Sequence, residues 1–172
     1  ISRVVRVYPN SLIFKPAMII TSILLIVYWF NIRNLIKKIN KDHKHLKKVF
    51  YFGIASAICL ILHSLFLGIK FELSFLKLLR RIILLSFIIL EVAAQAYLIS
   101  ILFDIKPKIK MLINERVLIL KRILVTILIL AAIIIAPFLP FSNIKILKHA
   151  LEWNYLLGII TFYLLTFFMW KK

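Results

Sequence analysis

Five apolar stretches follow one another along the chain, and segments rich in lysine and arginine separate them. Each stretch is at least 17 residues long, and an α-helix needs about 17–25 apolar residues to cross a bilayer. The pattern therefore predicts an all-α, polytopic helical membrane protein with a single transmembrane domain over residues 1–172. The five spans are predicted at about 16–32, 49–69, 82–103, 123–140 and 153–170.

The segment 70–81, KFELSFLKLLRR, has a different pattern. One helical face carries Phe71, Phe75, Leu78 and Leu79, and Lys77 and Arg81 lie elsewhere on the helix. This arrangement predicts a short amphipathic helix that lies along the membrane interface before the third span begins. A plain loop is the alternative.

Several residues suit the ends and faces of the predicted spans. Pro16 fits the first turn of the first helix. Gly53 and Ala57 are a pair of small residues four positions apart, which favours close helix packing. Aromatic residues near span ends are typical of interfacial anchors; here they are Trp29, Trp153, Tyr155 and Trp170.

Composition supports a membrane location. Hydrophobic residues make up 63% of the chain and the mean hydropathy is +1.02, whereas soluble domains are about 45–50% apolar. The net charge of +18 would suggest nucleic-acid binding in a soluble protein. Most of the basic residues lie between the predicted spans. We therefore expect the protein to have the lipid bilayer as its partner and not to bind nucleic acid.

The basic residues also predict an orientation. Fifteen of them lie in segments 33–48 and 105–122 and at the carboxyl terminus, and nine lie on the opposite side. Loops rich in lysine and arginine stay in the cytoplasm, so we expect a cytoplasmic carboxyl terminus in a bacterial inner membrane or an organelle membrane. The chain begins at Ile1, and a helix missing before it would make six spans.

Two polar residues interrupt the third span. Glu91 and Gln95 are four positions apart, so they share one helical face. A charge at membrane depth is costly and usually faces the protein interior. We therefore predict that Glu91 faces the bundle, is protonated if it lacks a cationic partner, and contacts Gln95, His63 or a group near the outer end of the fifth span.

His63 lies in the second span, and Glu152 and Asn154 begin the fifth from the same outer side. Antiparallel packing of the second and third spans would bring His63 towards Glu91. The candidate intramembrane polar cluster is therefore His63, Glu91, Gln95, Glu152 and Asn154. Such a cluster can form a proton relay, an ion pathway or a pocket for a polar head group, or it can simply join helices.

Other chemistry has little support in the sequence. Haem with two histidine ligands would need a second histidine within the predicted spans, where only His63 lies. A retinal Schiff base would need a lysine in the middle of a span, and none is expected there. The lysines around Asp42, His43 and His45 would repel a metal cation. No phosphate-binding or hydrolase motif is present. We therefore predict no catalytic residues, no cofactor and no metal ligands.

Three functions stay open at this point. The first is a non-catalytic accessory or assembly subunit that binds other membrane-protein subunits or itself. The second is a transporter or channel-like protein with a proton or ion pathway through Glu91 and His63. The third is a membrane enzyme that acts on lipid. The sequence favours the first, because it contains nearly all-apolar spans and no recognisable catalytic set.

Overall fold

The computed structural model describes residues 10–41, 43–66, 74–135 and 145–171, without the side chains of 10–12, 74, 77, 135 and 145–152. This part of the chain is all-helical and contains no strand. Its helices are α1 (Asn10–Ile39), α2 (Leu46–Phe66), α3 (Ser74–Ile109), α4 (Glu115–Ile135) and α5 (Lys145–Met169).

Four of these helices are long and apolar enough to cross a membrane, namely α1 to α4. Within the residues described, the apolar part of α5 is the shorter stretch Trp153–Met169. The expectation of a multi-pass, membrane-embedded helical protein therefore agrees with the structure.

The helices extend beyond the predicted spans because helical hydrogen bonding continues through the charged turns that flank them. α1 begins six residues before Pro16, which lies inside the helix. α4 begins at Glu115, well before the predicted start of its span at residue 123. Asn114 explains that start, since its side-chain oxygen accepts a hydrogen bond of 3.1 Å from the Arg116 backbone.

The prediction of a separate amphipathic helix near 70–81 is wrong for the part of this segment that the structure describes. Residues 70–73 lie outside the description, and residues from Ser74 onward form the first turns of the continuous helix α3. Within these turns Phe75 and Leu78 are exposed. No helix break separates them from the apolar span, so α3 projects past it as one element.

Neighbouring helices in the chain pack against each other, and α3 also contacts α5. α3 therefore joins the pair α1–α2 to the pair α4–α5. The largest core cluster contains residues of all five helices, including Ile36 of α1, Val49 of α2, Leu98 of α3, Leu118 of α4 and Phe162 of α5.

The basic loops and the carboxyl terminus share one end of the bundle. His43, between α1 and α2, lies 3.1 Å from the Asp104 carboxylate near the end of α3. The amide of Lys171 donates a hydrogen bond of 2.9 Å to the carbonyl of Leu112, between α3 and α4. These contacts place the two basic loops and the carboxyl terminus beside one another.

Candidate functional site

Glu91 is the centre of the candidate site. It lies about 20 Å along α3 from Leu78 and about 27 Å from Ile109, at 1.5 Å per residue. Its side chain is completely buried. The prediction that Glu91 faces the bundle interior is therefore confirmed.

The Glu91 carboxyl connects three helices. Gln95 Nε2, one turn along α3, donates a hydrogen bond of 3.1 Å to Oε1, as the spacing of four residues predicts. The Tyr163 hydroxyl of α5 donates to the same oxygen. Ser56 Oγ of α2 lies 2.6 Å from Oε2. We call these four residues the Glu91 cluster.

The hydrogens in this cluster can be counted. Ser56 Oγ lies within hydrogen-bond distance of two acceptors, Glu91 Oε2 at 2.6 Å and the Gly53 carbonyl at 2.8 Å. A serine hydroxyl has one hydrogen to donate. If Ser56 donates to Gly53, a proton on Glu91 supplies the bond between the carboxyl and Ser56. A neutral carboxyl thus satisfies every contact in the cluster.

Trp29 of α1 forms one wall of the site. The interfacial anchoring expected of this residue is wrong, because Trp29 is completely buried. Its ring packs on Gly53 of α2, where a Cβ atom would overlap the indole. Gly53 therefore admits an aromatic side chain between α1 and α2.

Three more enclosed polar atoms near Glu91 have no hydrogen-bond partner among the residues described: Tyr28 Oη, Trp29 Nε1 and Gln95 Oε1. Tyr28 and Trp29 both lie close to the Glu91 carboxyl. Buried polar atoms are rarely left unpaired, and these three lie in the core around the Glu91 carboxyl.

The structure does not bring His63 to this cluster. Ser56, and not His63, is the α2 residue opposite Glu91, and His63 lies seven residues further along α2, about 10 Å away along the axis. His63 is buried and adjoins Arg80 of α3 instead. The expected meeting of His63 and Glu91 is therefore wrong by about two helical turns, because the sequence does not fix the register of the two helices.

The two remaining members of the predicted cluster are also apart from Glu91. Asn154 is exposed and lies nine residues, or about 14 Å along α5, before Tyr163. The side chain of Glu152 lies outside the description. Within the described residues, then, only Gln95 of the predicted partners contacts Glu91.

Sequence reasoning missed Lys121, which it assigned to a basic loop. The structure places Lys121 inside α4, completely buried. Its Nζ atom donates a hydrogen bond of 2.7 Å to Thr166 Oγ1 of α5 and lies 3.9 Å from the centroid of the Phe162 ring. The available signal was the apolar residues 117–120 before and 123–125 after the pair Lys121 and Arg122, because they continue the span.

Among the described residues, no group of three or more histidine, cysteine, aspartate or glutamate side chains could hold a metal ion. The site instead combines a carboxyl, an amine and several hydroxyls inside an apolar bundle. Such groups can hold a proton, pass it between them, or fasten helices together.

Comparisons with protein-family models, with curated proteins and with solved structures find no match for this chain.

Proposed function

We propose that this protein acts without catalysis, as an accessory or assembly subunit that binds other membrane proteins or further copies of itself within the bilayer. We place α5 in the membrane as a fifth span. The basic end of the bundle then faces the cytoplasm, in a bacterial inner membrane or an organelle membrane, because lysine-rich loops stay on that side.

The observation that supports partner binding is the small share of α1 that its own bundle covers. Only 17% of the most apolar window of α1 is buried. Its exposed residues Ile13, Ile20, Leu24 and Val27 are seven, four and three positions apart. That spacing matches the seam of two α-helices that wind around each other as a left-handed supercoil, which is the common packing of transmembrane bundles.

The mass of the protein after gentle solubilisation tests this proposal. We expect light scattering to give a protein mass well above the 20.2 kDa of one chain. Replacing Ile20 and Leu24 with tryptophan keeps the face apolar but prevents close helix approach, so the mass should fall. The matched control replaces Ile160 and Leu164, which are exposed on α5, and should keep the assembly.

A folded, monodisperse single chain would contradict partner binding. Equal loss of assembly in the α1 and α5 variants would contradict the assignment of the interface to α1.

A second candidate is a transporter or channel-like protein that uses Glu91. The observation that favours it is a completely buried carboxyl in the middle of α3, surrounded by hydroxyl groups. A route that also uses His63 has no contact to support it among the residues described. A proton-flux assay in liposomes distinguishes this candidate, since flux should disappear in Glu91→Gln while assembly is kept.

A further inference from the structure

The charged residues of α1 and α2 begin at the same level of the bundle. Between Pro16 and Arg33, α1 contains no charged residue, and α2 contains no lysine, arginine, aspartate or glutamate after Lys48. Phe50 of α2 meets α1 at this level, because the Arg33 guanidinium carbon lies 4.3 Å from the centroid of its ring. The change from apolar to charged residues, which marks the headgroup layer of a bilayer, therefore falls at one height on both helices.

Three basic side chains lie on one face of the α1–α2 pair. Lys37 follows Arg33 by four positions on α1, and Lys47 precedes Phe50 by three positions on α2. Each lysine therefore adjoins the contact between Arg33 and Phe50 on its own helix. Because the two helices are antiparallel, one further turn brings Lys37 level with Lys47, and both are exposed. We call Arg33, Lys37 and Lys47 the Arg33 cluster.

No acidic side chain pairs with the Arg33 cluster in the part of the chain that the structure describes. The two described carboxylates at this end of the bundle have partners of their own, in the ion pairs His43–Asp104 and Lys106–Glu115. The sequence between residues 33 and 48 contains seven lysines and arginines and one acidic residue. The positive charge of this face is therefore not neutralised locally, and the face is complementary to an anion.

The position of Lys47 is unfavourable for α2 unless an anion lies nearby. Lys47 belongs to the first turn of α2, which contains no acidic residue. The amino-terminal end of a helix carries a partial positive charge, so it disfavours cations and favours anions. A bound anion would interact favourably with both the lysine and the end of the helix.

Apolar side chains continue this face towards the middle of the membrane. Phe30 packs edge-on against Phe50, with ring centroids 5.0 Å apart, and remains 45% exposed. Ile23, two turns before Phe30 on the same face of α1, is also exposed. A ligand with an anionic headgroup and an apolar chain matches both parts of the face, whereas a soluble anion matches the Arg33 cluster alone.

We propose that the Arg33 cluster binds the phosphate headgroup of an anionic phospholipid, whose acyl chain lies along Phe30. A guanidinium above an aromatic ring keeps the N–H groups at its edge free to donate to phosphate oxygens. Basic pockets between transmembrane helices bind anionic headgroups in this way. The site goes beyond partner binding and does not depend on it, because Ile20 and Leu24 lie roughly 100° away around α1.

Lipid binding to the detergent-solubilised protein, counted per chain by native mass spectrometry, tests the proposal. Phosphatidylglycerol and phosphatidylcholine with identical acyl chains are titrated separately. We expect the first phosphatidylglycerol to bind at least about tenfold more tightly than the first phosphatidylcholine. The double variant Lys37→Gln and Lys47→Gln should weaken phosphatidylglycerol binding by on the order of tenfold and leave phosphatidylcholine binding unchanged. Both lysines are exposed, so this variant should fold like the wild type.

The matched control is the double variant Arg116→Gln and Lys171→Gln. It removes two exposed positive charges from the same end of the bundle, on the side of α4 and α5. Its affinity for phosphatidylglycerol should stay near that of the wild type. Equal weakening in the two double variants would overturn the proposal, because net charge alone would then attract the lipid. Equal affinity of the wild type for the two lipids would overturn it as well.

Competition with glycerol phosphate distinguishes a lipid from a soluble anion. This compound carries a phosphate group without acyl chains, so a large molar excess should leave phosphatidylglycerol bound. Displacement at concentrations similar to that of the lipid would overturn the assignment of the site to a lipid. These results are independent of the mass of the protein assembly, because the lipids are counted per chain.

Discussion

At the residue scale, Glu91 and Lys121 are completely buried, and neither has a charged partner among the residues that the structure describes. The i and i+4 spacing of Glu91 and Gln95 was enough to predict their shared face and their contact. The contacts of Glu91 with Ser56 and Tyr163 were not predictable, because they depend on how α2 and α5 are placed against α3. Lys121 was missed for a related reason: a lysine next to Arg122 resembles a loop residue until the helix boundary is known.

Lys121→Met should leave the protein as stable as the wild type, within about 1 kcal/mol, or make it more stable. Methionine keeps the length and apolar character of the side chain, and among the described residues Lys121 has no anionic partner to lose. SDS-titrated unfolding in mixed micelles measures the change. Lys48→Met, at an exposed site, is the control. A markedly larger loss for Lys121→Met would show that the amine pairs with an anion in the assembled protein.

At the element scale, one glycine determines how closely α1 and α2 approach. The small pair Gly53 and Ala57 was visible in the sequence as a packing face. The occupant of that face was not, because Trp29 also fits the pattern of an interfacial anchor. The wrong prediction for Trp29 arose from span ends placed too early, since α1 continues to Ile39 and Trp29 lies well inside it.

Gly53→Ala should lower the free energy of unfolding by about 1–3 kcal/mol, because the added methyl group overlaps the Trp29 ring. Gly158→Ala is the matched control. Its methyl group would meet only the flexible end of Leu128, and alanine gains about 1 kcal/mol of helix propensity over glycine. Equal losses in the two variants would contradict the close packing of Trp29 on α2.

The connection between α1 and α2 contains a group whose titration affects stability. Burial lowers the pKa of His45, and the neighbouring charges of Lys44, Lys48 and His43 lower it further. In the unfolded chain the pKa of His45 is near 6.5. As the pH falls below that value, the unfolded chain therefore binds more protons at His45 than the folded chain does. His45 therefore does not lower the free energy of unfolding above about pH 6.5, and it lowers it as the pH falls below that value.

His45→Gln should reduce the fall in stability between about pH 7.5 and about pH 5.5, because glutamine does not titrate in this range. The measurement is the same unfolding titration at the two pH values. An unchanged pH dependence in His45→Gln would show that other groups account for it.

At the scale of the whole molecule, the helical class and the shared end of the basic loops were predictable from hydropathy and charge. The pairing of His43 with Asp104 and of Lys171 with Leu112 agrees with that arrangement. The sequence did not predict that α3 is the helix that joins the α1–α2 pair to the α4–α5 pair. That role depends on contacts between residues far apart in the chain.

Cysteine labelling tests the topology in a background where Cys59 is replaced by alanine. Lys44→Cys and Met111→Cys should react with an impermeant reagent from the same side of the membrane, since both positions are exposed at the basic end. Phe75→Cys should react only from the other side, because residue 75 lies in the first turns of α3, at the end of the bundle away from the basic loops. Labelling of all three from one side would contradict the arrangement.

The Glu91 cluster is the polar connection between the two halves of the bundle, and replacing Glu91 tests this claim most directly. Glu91→Gln keeps an acceptor for Gln95 and Tyr163 and supplies a donor to Ser56, so its unfolding free energy should stay near that of the wild type. Glu91→Leu leaves buried donors unpaired, at about 1–3 kcal/mol each, and should lose at least about 2 kcal/mol and loosen α5 from α3. Equal stability of Glu91→Leu and Glu91→Gln in SDS-titrated unfolding would contradict the account.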